Sequence, residues 1–252
     1  MSEPDTPLMQ FSDIAAAVGL LSRLPVNADG VRGARVAWAF PVVGLIIGGL
    51  AAILGWVLLW LGLSPSLTAA LIIAAQIIMT GAMHEDGLAD TVDGLWGGWE
   101  KERRLEIMKD SHIGTYGVIA LVLSLILRWG ALSTLISAGS LFATLIAAAA
   151  LSRVPMVIMM ATMPTARESG LSASFGAPSM KSANVAAGFA LGTGLLCFGW
   201  LGFAIVGITA LAGIVAATIA QRKIGGQTGD ILGASQQVAE IAVLITLATA
   251  LS

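Results

Sequence analysis

Residues 36 to 62 read VAWAFPVVGLIIGGLAAILGWVLLWLG, a stretch without a single acidic or basic side chain. A helix rises 1.5 Å per residue, so about 20 apolar residues cross the roughly 30 Å of hydrocarbon in a bilayer. Further apolar stretches long enough to span lie at 65–82, 113–137, 139–163, 183–199, 201–220 and 235–251. The sequence therefore predicts an all-α, polytopic integral membrane bundle with about seven transmembrane helices, within a range of six to eight.

The composition agrees with a membrane protein. Hydrophobic residues make up 57% of the 252 positions and charged residues 11%, whereas a soluble domain is about 45–50% apolar. The net charge of −2 is small and the basic residues are scattered, which argues against a nucleic-acid partner. We find no repeat and no linker, so residues 1–252 are predicted to form one membrane domain.

The N-terminus does not resemble a cleaved signal peptide, because it begins with acidic residues and its first basic residue is Arg23. The apolar part of 8–24 is too short to cross a bilayer. We expect a short helix that lies at the interface or packs under the bundle.

The basic residues indicate how the chain is oriented, since cytoplasmic loops collect Lys and Arg. If the N-terminus is cytoplasmic, the predicted cytoplasmic segments hold all of the 13 basic residues except Arg128 and Arg153, which fall within spans. The loops on the other side, near Ser64, Ala138 and Gly199, carry no charge. The polar segments 83–112 and 221–234 are therefore predicted on the cytoplasmic side.

Segment 83–112 contains eight of the fifteen acidic residues, and it includes HEDGLADTVDG at 84–94. On a helix, Asp86, Asp90 and Asp93 would lie at i, i+4 and i+7, on one face. Three like charges on one face repel one another unless a divalent cation neutralises them. Oxygen ligands without cysteine suit Mg²⁺, or Mn²⁺, better than zinc. The alternative is that these residues are the solvated acids of a loop.

Two further polar segments are predicted on the same side. In QRKIGGQTGDILGA (221–234), backbone N–H groups around Gly226 and Thr228 could line a phosphate, and Asp230 adds a carboxylate. A plain turn is the alternative. The segment 165–181, with Arg167, Glu168 and Lys181, could be a mobile lid or a plain loop.

Residues 96–117 are predicted to include a helix that lies flat in the headgroup region. Its Arg103, Arg104 and Lys109 could contact phosphates of a substrate or of lipids, and Ser111 could cap the following span. Within the spans, Arg128, Arg153 and Glu240 are costly to bury. We expect Glu240 to pair with Arg153, as a structural ion pair or as part of a wet cavity.

A family resemblance rests on HEDGLADTVDG at 84–94, RLEIMKDSHIGTYG at 104–117 and GGQTGDILGA at 225–234, with LSRLP at 21–25 and PVVGLIIGG at 41–49. With these motifs, which extend over nearly the whole chain, the sequence resembles the cobalamin (5′-phosphate) synthases, also called adenosylcobinamide-GDP ribazoletransferases. The resemblance implies a multi-pass enzyme of the bacterial inner membrane that requires Mg²⁺. It would join adenosylcobinamide-GDP to α-ribazole, or to its 5′-phosphate, and release GMP in the last step of cobamide assembly.

This reaction and the residue pattern lead to one set of expected roles. Carboxylate-bound divalent ions would neutralise the diphosphate, stabilise the leaving phosphate and align the attacking hydroxyl. The expected metal ligands are Asp86, Asp90, Asp93 and Asp230, and the expected catalytic residues are Asp230 with either Glu85 or Asp110 as the base. The expected substrate contacts are Arg103, Arg104, Lys109, Gly226 and Thr228.

The rival function is a secondary transporter or cation pathway that uses the same carboxylates. Transporters tend to place their binding acids near the midplane, in broken helices within repeated halves. Here the acids cluster towards one surface and no repeat is visible, which favours an enzyme. Partners are predicted to be the two small-molecule substrates and the bilayer. The sequence leaves open a homo-oligomer.

Overall fold

The computed structural model of the chain describes residues 7–26 and 32–252. These residues form α-helices and short connections, as predicted, and no strand lies within these two ranges. The helices are α1 (Phe11–Leu21), α2 (Phe40–Trp60, preceded by a 3-10 segment, Gly33–Ala39), α3 (Pro65–Thr80), α4 (Met83–Gly97), α5 (Lys101–Ile107), α6 (Thr115–Ser137), α7 (Leu141–Leu151), α8 (Val154–Thr162), α9 (Leu171–Phe175), α10 (Met180–Phe198), α11 (Leu201–Ile224) and α12 (Gly229–Leu251).

Five helical segments of the described chain are long and apolar enough to cross a membrane, which makes it a multi-pass membrane protein. They are Gly33–Trp60, Thr115–Ser137, Leu141–Thr162, Leu201–Ile224 and Gly229–Leu251. Helices α3 and α4 make a sixth if they are taken together, although they meet at an angle of 88°. The predicted span 183–199 forms α10, but this helix is not among the five and starts with several polar residues. The count by length and composition is thus five or six.

Small residues set the close packing of the bundle. A side chain at Gly44 or Gly48 of α2 would collide with the carbonyl groups of Ala149 and Leu145 on α7. This is the glycine spacing that lets membrane helices approach each other closely. The α7–α8 span is the central one, with 78% of its apolar window buried, against 28% for α6 and for α11. Helices α6 and α11 are therefore peripheral and leave most of their apolar side chains for lipid.

The break between α3 and α4 depends on two residues in the left-handed region. Gly81 has φ +64° and Ala82 has φ +58°, and Ala82 is the only residue other than glycine with positive φ in the described chain. A residue with a side chain is strained in this conformation, so the surrounding packing must hold Ala82 in it. The result is a sharp turn that directs α4, with its acidic residues, away from the axis of α3.

The predicted short N-terminal helix is confirmed as α1. Asp13 in its first turn is buried and binds Arg32 at 2.7 Å and the Trp38 indole N–H at 2.8 Å. Burial alone would raise the pKa of the Asp13 carboxyl, but these hydrogen bonds outweigh it and hold the pKa below its ordinary value. The charged Asp13 thus ties α1 to the entry of α2.

Candidate active site

The polar connections that were predicted to share a face do contact one another. The backbone N–H of Ala166 donates to Gln227 at 2.9 Å, and that of Gln227 donates to Pro164 at 2.9 Å, which forms a short parallel bridge. The Lys223 ammonium, at the end of α11, donates to the Leu95 carbonyl of α4 at 2.7 Å. The segments 163–179 and 224–229 therefore meet α4 at one end of the bundle.

A cavity of about 170 Å³ lies where these segments meet. Its charged lining residues are Asp86 of α4, Arg167 of the 163–179 segment and Asp230 of α12. The uncharged polar lining includes Thr165, Ser169, Ser172, Gln227 and Thr228. The cavity thus combines two carboxylates, one guanidinium and several hydroxyl groups.

Asp230 is placed by the first turn of α12. The Thr228 hydroxyl caps this helix by accepting the Ile231 N–H at 3.3 Å, and it also donates to Asp230 Oδ2 at 3.2 Å. The Arg167 Nη2 donates to the same carboxylate oxygen at 2.8 Å. Arg167 Nε is buried and has no hydrogen-bond partner among the described residues. Because Arg167 also lines the cavity, its guanidinium places a positive charge at the cavity wall.

Two glycines bring Asp86 close to Asp230. Helices α4 and α12 cross at Gly87 and Gly233, and a Cβ built on Gly87 would lie 2.9 Å from the Asp230 carbonyl oxygen. A side chain at Gly87 would force the two helices apart, and one at Gly233 would fit tightly. Asp90, one turn further along α4, lies within electrostatic range of both Asp86 and Asp230. The three carboxylates concentrate negative charge at this crossing.

Asp93 has a different environment from the other two aspartates of α4. Its oxygens accept the N–H groups of Gly114 at 2.7 Å and of Gly117 at 2.9 Å, in the first turn of α6. Asp93 lies on the same helical face as Asp86, but seven residues separate them by about 10 Å along the axis. The predicted cap by Ser111 is wrong, because Gly114 occupies the N-cap position and Asp93 satisfies the donors instead.

The cavity residues fit a magnesium ion in a restricted sense. Among the described residues, no three His, Cys, Asp or Glu side chains converge as a complete metal site. Mg²⁺ seldom uses such a cage; it is usually bound through one or two carboxylates together with waters and substrate phosphates. Asp86 and Asp230, which line one cavity beside a cationic side chain, provide that kind of donor set.

Glu85 points into the bundle rather than into the cavity. It binds the buried Arg128 at 2.8 Å, and Arg128 also binds Glu240 at 3.2 Å. The predicted Arg153–Glu240 pair is therefore wrong, because Arg128 takes Glu240 and the Arg153 guanidinium donates to the Ala149 carbonyl. The ionic cluster closes on itself inside the helices, so the geometry does not favour Glu85 as a base.

The other base candidate, Asp110, is exposed and does not line the cavity. Its carboxylate accepts the backbone N–H of His112 at 3.1 Å and pairs with the ring nitrogen Nδ1 at 2.6 Å. These contacts with His112 hold the pKa of Asp110 below its ordinary value. A lowered pKa weakens a general base, so the geometry does not favour Asp110 either.

Of the predicted phosphate contacts, Thr228 lines the cavity, whereas the other four do not. Arg103 pairs with Glu106 on the surface at 2.7 Å, and Lys109 is exposed. Arg104 donates to the Gly98 and Lys223 carbonyls, which ties α5 to the end of α11. Gly226 is buried against the Pro164 carbonyl, so its backbone packs on the 163–166 strand-like segment.

Sequence reasoning missed Gln227 and Ser172 and left Arg167 as a loop residue. The Ser172 hydroxyl donates to the Gln227 side-chain oxygen at 2.6 Å, which fastens α9 to the turn before α12. These contacts join residues more than fifty positions apart, and neither a short motif nor a periodic pattern in the sequence signals them.

The sequence is similar to known proteins over nearly its whole length. The family model of cobalamin-5-phosphate synthase matches residues 13–248. An adenosylcobinamide-GDP ribazoletransferase of Bradyrhizobium diazoefficiens is 47% identical over 246 residues, which cover 94% of each chain. The proteins of that name from Sinorhizobium medicae and Mesorhizobium japonicum are 43% and 42% identical, over 98% of this chain and 100% and 96% of their own. No solved structure matches the chain significantly. The match over nearly the full length shows that this chain belongs to the cobalamin-5-phosphate synthase family.

Proposed function

We propose that this chain transfers the adenosylcobinamide-phosphate part of adenosylcobinamide-GDP to α-ribazole, or to its 5′-phosphate, with release of GMP. The observation that carries the proposal is the cavity in which Asp86, Asp230 and Arg167 meet at one end of an apolar bundle. Relatives of this chain that bear the name of this activity align with nearly all of it. This reaction would complete the cobamide at the bacterial inner membrane, with the cavity facing the cytoplasm.

The reaction moves one phosphoryl group between two oxygens. A ribose hydroxyl forms a bond to the phosphorus that carries the cobinamide, the bond from that phosphorus to the GMP oxygen breaks, and the hydroxyl proton leaves. Such a transfer needs neutralisation of the diphosphate charge more than covalent help from the protein. Asp86 and Asp230 would hold Mg²⁺, or Mn²⁺, which would supply that neutralisation when bound to the diphosphate.

Arg167 is the cavity's own cation for the diphosphate. Its Nη2 is fixed by Asp230 at 2.8 Å, and its buried Nε has no hydrogen-bond partner among the described residues. A guanidinium suits this task because it presents several donors in a rigid plane.

Neither Glu85 nor Asp110 lines the cavity, so the proton acceptor would be a carboxylate of the cavity wall.

A transport function is not supported. The acidic residues gather at one end of the helices, and the buried charges Glu85, Arg128 and Glu240 are bound to one another. Retained ion flux in liposomes without any nucleotide substrate would be needed to favour transport.

The test uses purified protein with Mg²⁺, adenosylcobinamide-GDP and α-ribazole, and quantifies both cobamide and GMP. Asp86→Asn and Asp230→Asn should each lower kcat/KM by about 10³-fold, because several kcal/mol of charge stabilisation are lost at about 1.4 kcal/mol per tenfold. Glu102→Gln, an exposed acid on α5, is the matched control and should retain activity. The proposal fails if the unaltered protein forms no product or if both aspartate variants remain fully active.

A further inference from the structure

A second polar region lies on the other side of α9 from the carboxylate cavity. This groove, of about 900 Å³, runs between the entry of α2 and the start of α10. Arg32, Arg35 and Lys181 line it, together with Phe175, Ser179 and Ser182. Among residues 7–26 and 32–252, no acidic side chain lines this groove, and its charged lining residues suit an anion.

The start of α10 adds oriented donors to this groove. The Ser179 hydroxyl caps the helix by accepting the Ser182 N–H at 3.2 Å. The first N–H groups of a helix have no intrahelical partner and carry the positive end of its dipole. Because α10 has 19 residues, its dipole is fully developed at this end. Such an end is a preferred position for a phosphate.

Ser182 provides the observation that points to a ligand. Its side-chain oxygen is buried, the residue is only 1% exposed, and the hydroxyl has no hydrogen-bond partner among the described residues. A buried hydroxyl without a partner destabilises the protein, because its hydrogen bonds to water are lost and not replaced. Since Ser182 lines the groove beside Lys181, an acceptor placed there would satisfy it.

The groove and the carboxylate cavity are neighbours. Leu171 and Ser172, at the start of α9, line the cavity, whereas Phe175 at its end lines the groove. A five-residue helix is about 7 Å long, so one nucleotide can reach both regions. A nucleoside 5′-phosphate would place its 5′-phosphate in the groove and one of its unmodified ribose hydroxyls near the cavity.

We propose that Ser182, Lys181 and the N-terminus of α10 form a subsite for a phosphate monoester, and that this ligand is the 5′-phosphate of α-ribazole 5′-phosphate. The identity of the ligand rests on the proposed function, whereas the phosphate subsite itself does not. Arg32 adds positive charge to the groove while its guanidinium remains bound to Asp13.

The kinetic test compares α-ribazole 5′-phosphate with free α-ribazole. Ser182→Ala and Lys181→Met should each raise KM for the phosphorylated acceptor about 10-fold and leave kcat and the KM for free α-ribazole unchanged. Arg222→Met, which removes an exposed cation at the end of α11, is the control and should change neither value. Equal effects on both acceptors, or no effect on either, would overturn the subsite.

A binding measurement separates this inference from the proposed function. Inorganic phosphate and α-ribazole 5′-phosphate are titrated calorimetrically into the purified, unaltered protein and into Ser182→Ala. Binding that weakens about 10-fold in the variant supports the subsite even if no cobamide forms, in which case only the proposed function falls. No difference between the two proteins rejects the subsite even if product forms.

The remaining source of a phosphate monoester at a membrane is a lipid headgroup. The same titration is repeated in nanodiscs of phosphatidylcholine alone and with added phosphatidic acid. Unchanged binding of α-ribazole 5′-phosphate in both supports a soluble ligand. Competition by phosphatidic acid that disappears in Ser182→Ala would assign the subsite to lipid and overturn the proposed ligand.

Discussion

At the scale of single residues, α4 uses chemically identical aspartates for different purposes. Asp86 is exposed and lines the cavity, whereas Asp93 is buried and accepts two N–H groups from the start of α6. The first arrangement suits a group that binds a ligand. The second satisfies backbone donors that would otherwise be buried without a partner. Position relative to neighbouring helices, not residue type, decides the role.

Asp93→Ala should therefore act through folding. Loss of the two N–H acceptors should cost about 1–3 kcal/mol per donor left unsatisfied, which lowers the melting temperature of the purified protein. Asp86→Ala should leave the melting temperature unchanged and abolish activity. If Asp93→Ala instead melts normally and needs more Mg²⁺ for activity, Asp93 is the metal ligand that the sequence pattern predicts.

Gly87 sets how closely the carboxylates of α4 and α12 approach. In Gly87→Ala the new methyl group would lie 2.9 Å from the Asp230 carbonyl oxygen, so the helices must separate. Misplacement of a catalytic group by about 1 Å can cost about 100-fold in rate, and we expect a loss of that order in kcat. Gly192→Ala, where the added methyl meets open space, is the control. Equal activity of the two variants would show that this crossing does not position the site.

At the scale of helices, the cluster of Glu85, Arg128 and Glu240 joins α4, α6 and α12 inside the bundle. Arg128 is 2% exposed and contacts both glutamates, and the buried Arg153 lies within electrostatic range of both, so two cations balance two carboxylates. A buried ion pair adds little stability over apolar packing, but removal of one partner is costly because it leaves a buried charge. The cluster therefore specifies which faces of these three helices meet.

Arg128→Met should consequently destabilise the protein by about 3–5 kcal/mol, as measured by unfolding in increasing denaturing detergent. Glu85→Gln, combined with Arg128→Met, should recover much of this loss, because it removes the one uncompensated carboxylate while Glu240 still balances the buried Arg153. If the double variant is less stable than Arg128→Met alone, Glu85 is not held by Arg128 and the interpretation is wrong.

The sequence predicts helices better than it predicts how they meet. Apolar stretches long enough to span are visible in the sequence, because bilayer thickness fixes their length. The positive φ of Ala82 was not predictable, since alanine has no preference for that conformation and only tertiary packing holds it there. The approach of Arg167 to Asp230 was equally hidden, because 63 positions separate them and no local pattern encodes the contact.

At the scale of the whole molecule, the chain separates an apolar scaffold from a polar end. The ends of α4 and α11 and the segment 163–179 meet at that end, around the carboxylate cavity. The opposite connections, near Leu61, Ala138 and Gly199, carry no charge. A large, charged substrate can therefore reach the site from water while the helices remain in lipid.

This arrangement fixes the course of α10, which is not among the five long apolar segments. Its first turn lines the groove beside α9, at the polar end, and it then packs along α11 through Gly194 and Gly202. Helix α11 ends at Ile224, again at the polar end. Helix α10 must therefore run the length of the bundle, so we expect seven crossings and a C-terminus on the side opposite the active site.

Single-cysteine labelling tests this topology, because Cys197 is the only cysteine and can be replaced by serine. In intact cells, a membrane-impermeant maleimide should label a cysteine placed at Ser252 and should not label one at Arg222. In inverted vesicles, the pattern should reverse, since Arg222 lies at the end that is expected to face the cytoplasm. Labelling of both positions from the same side would mean an even number of crossings between α11 and the C-terminus, and the single crossing by α12 would then be wrong.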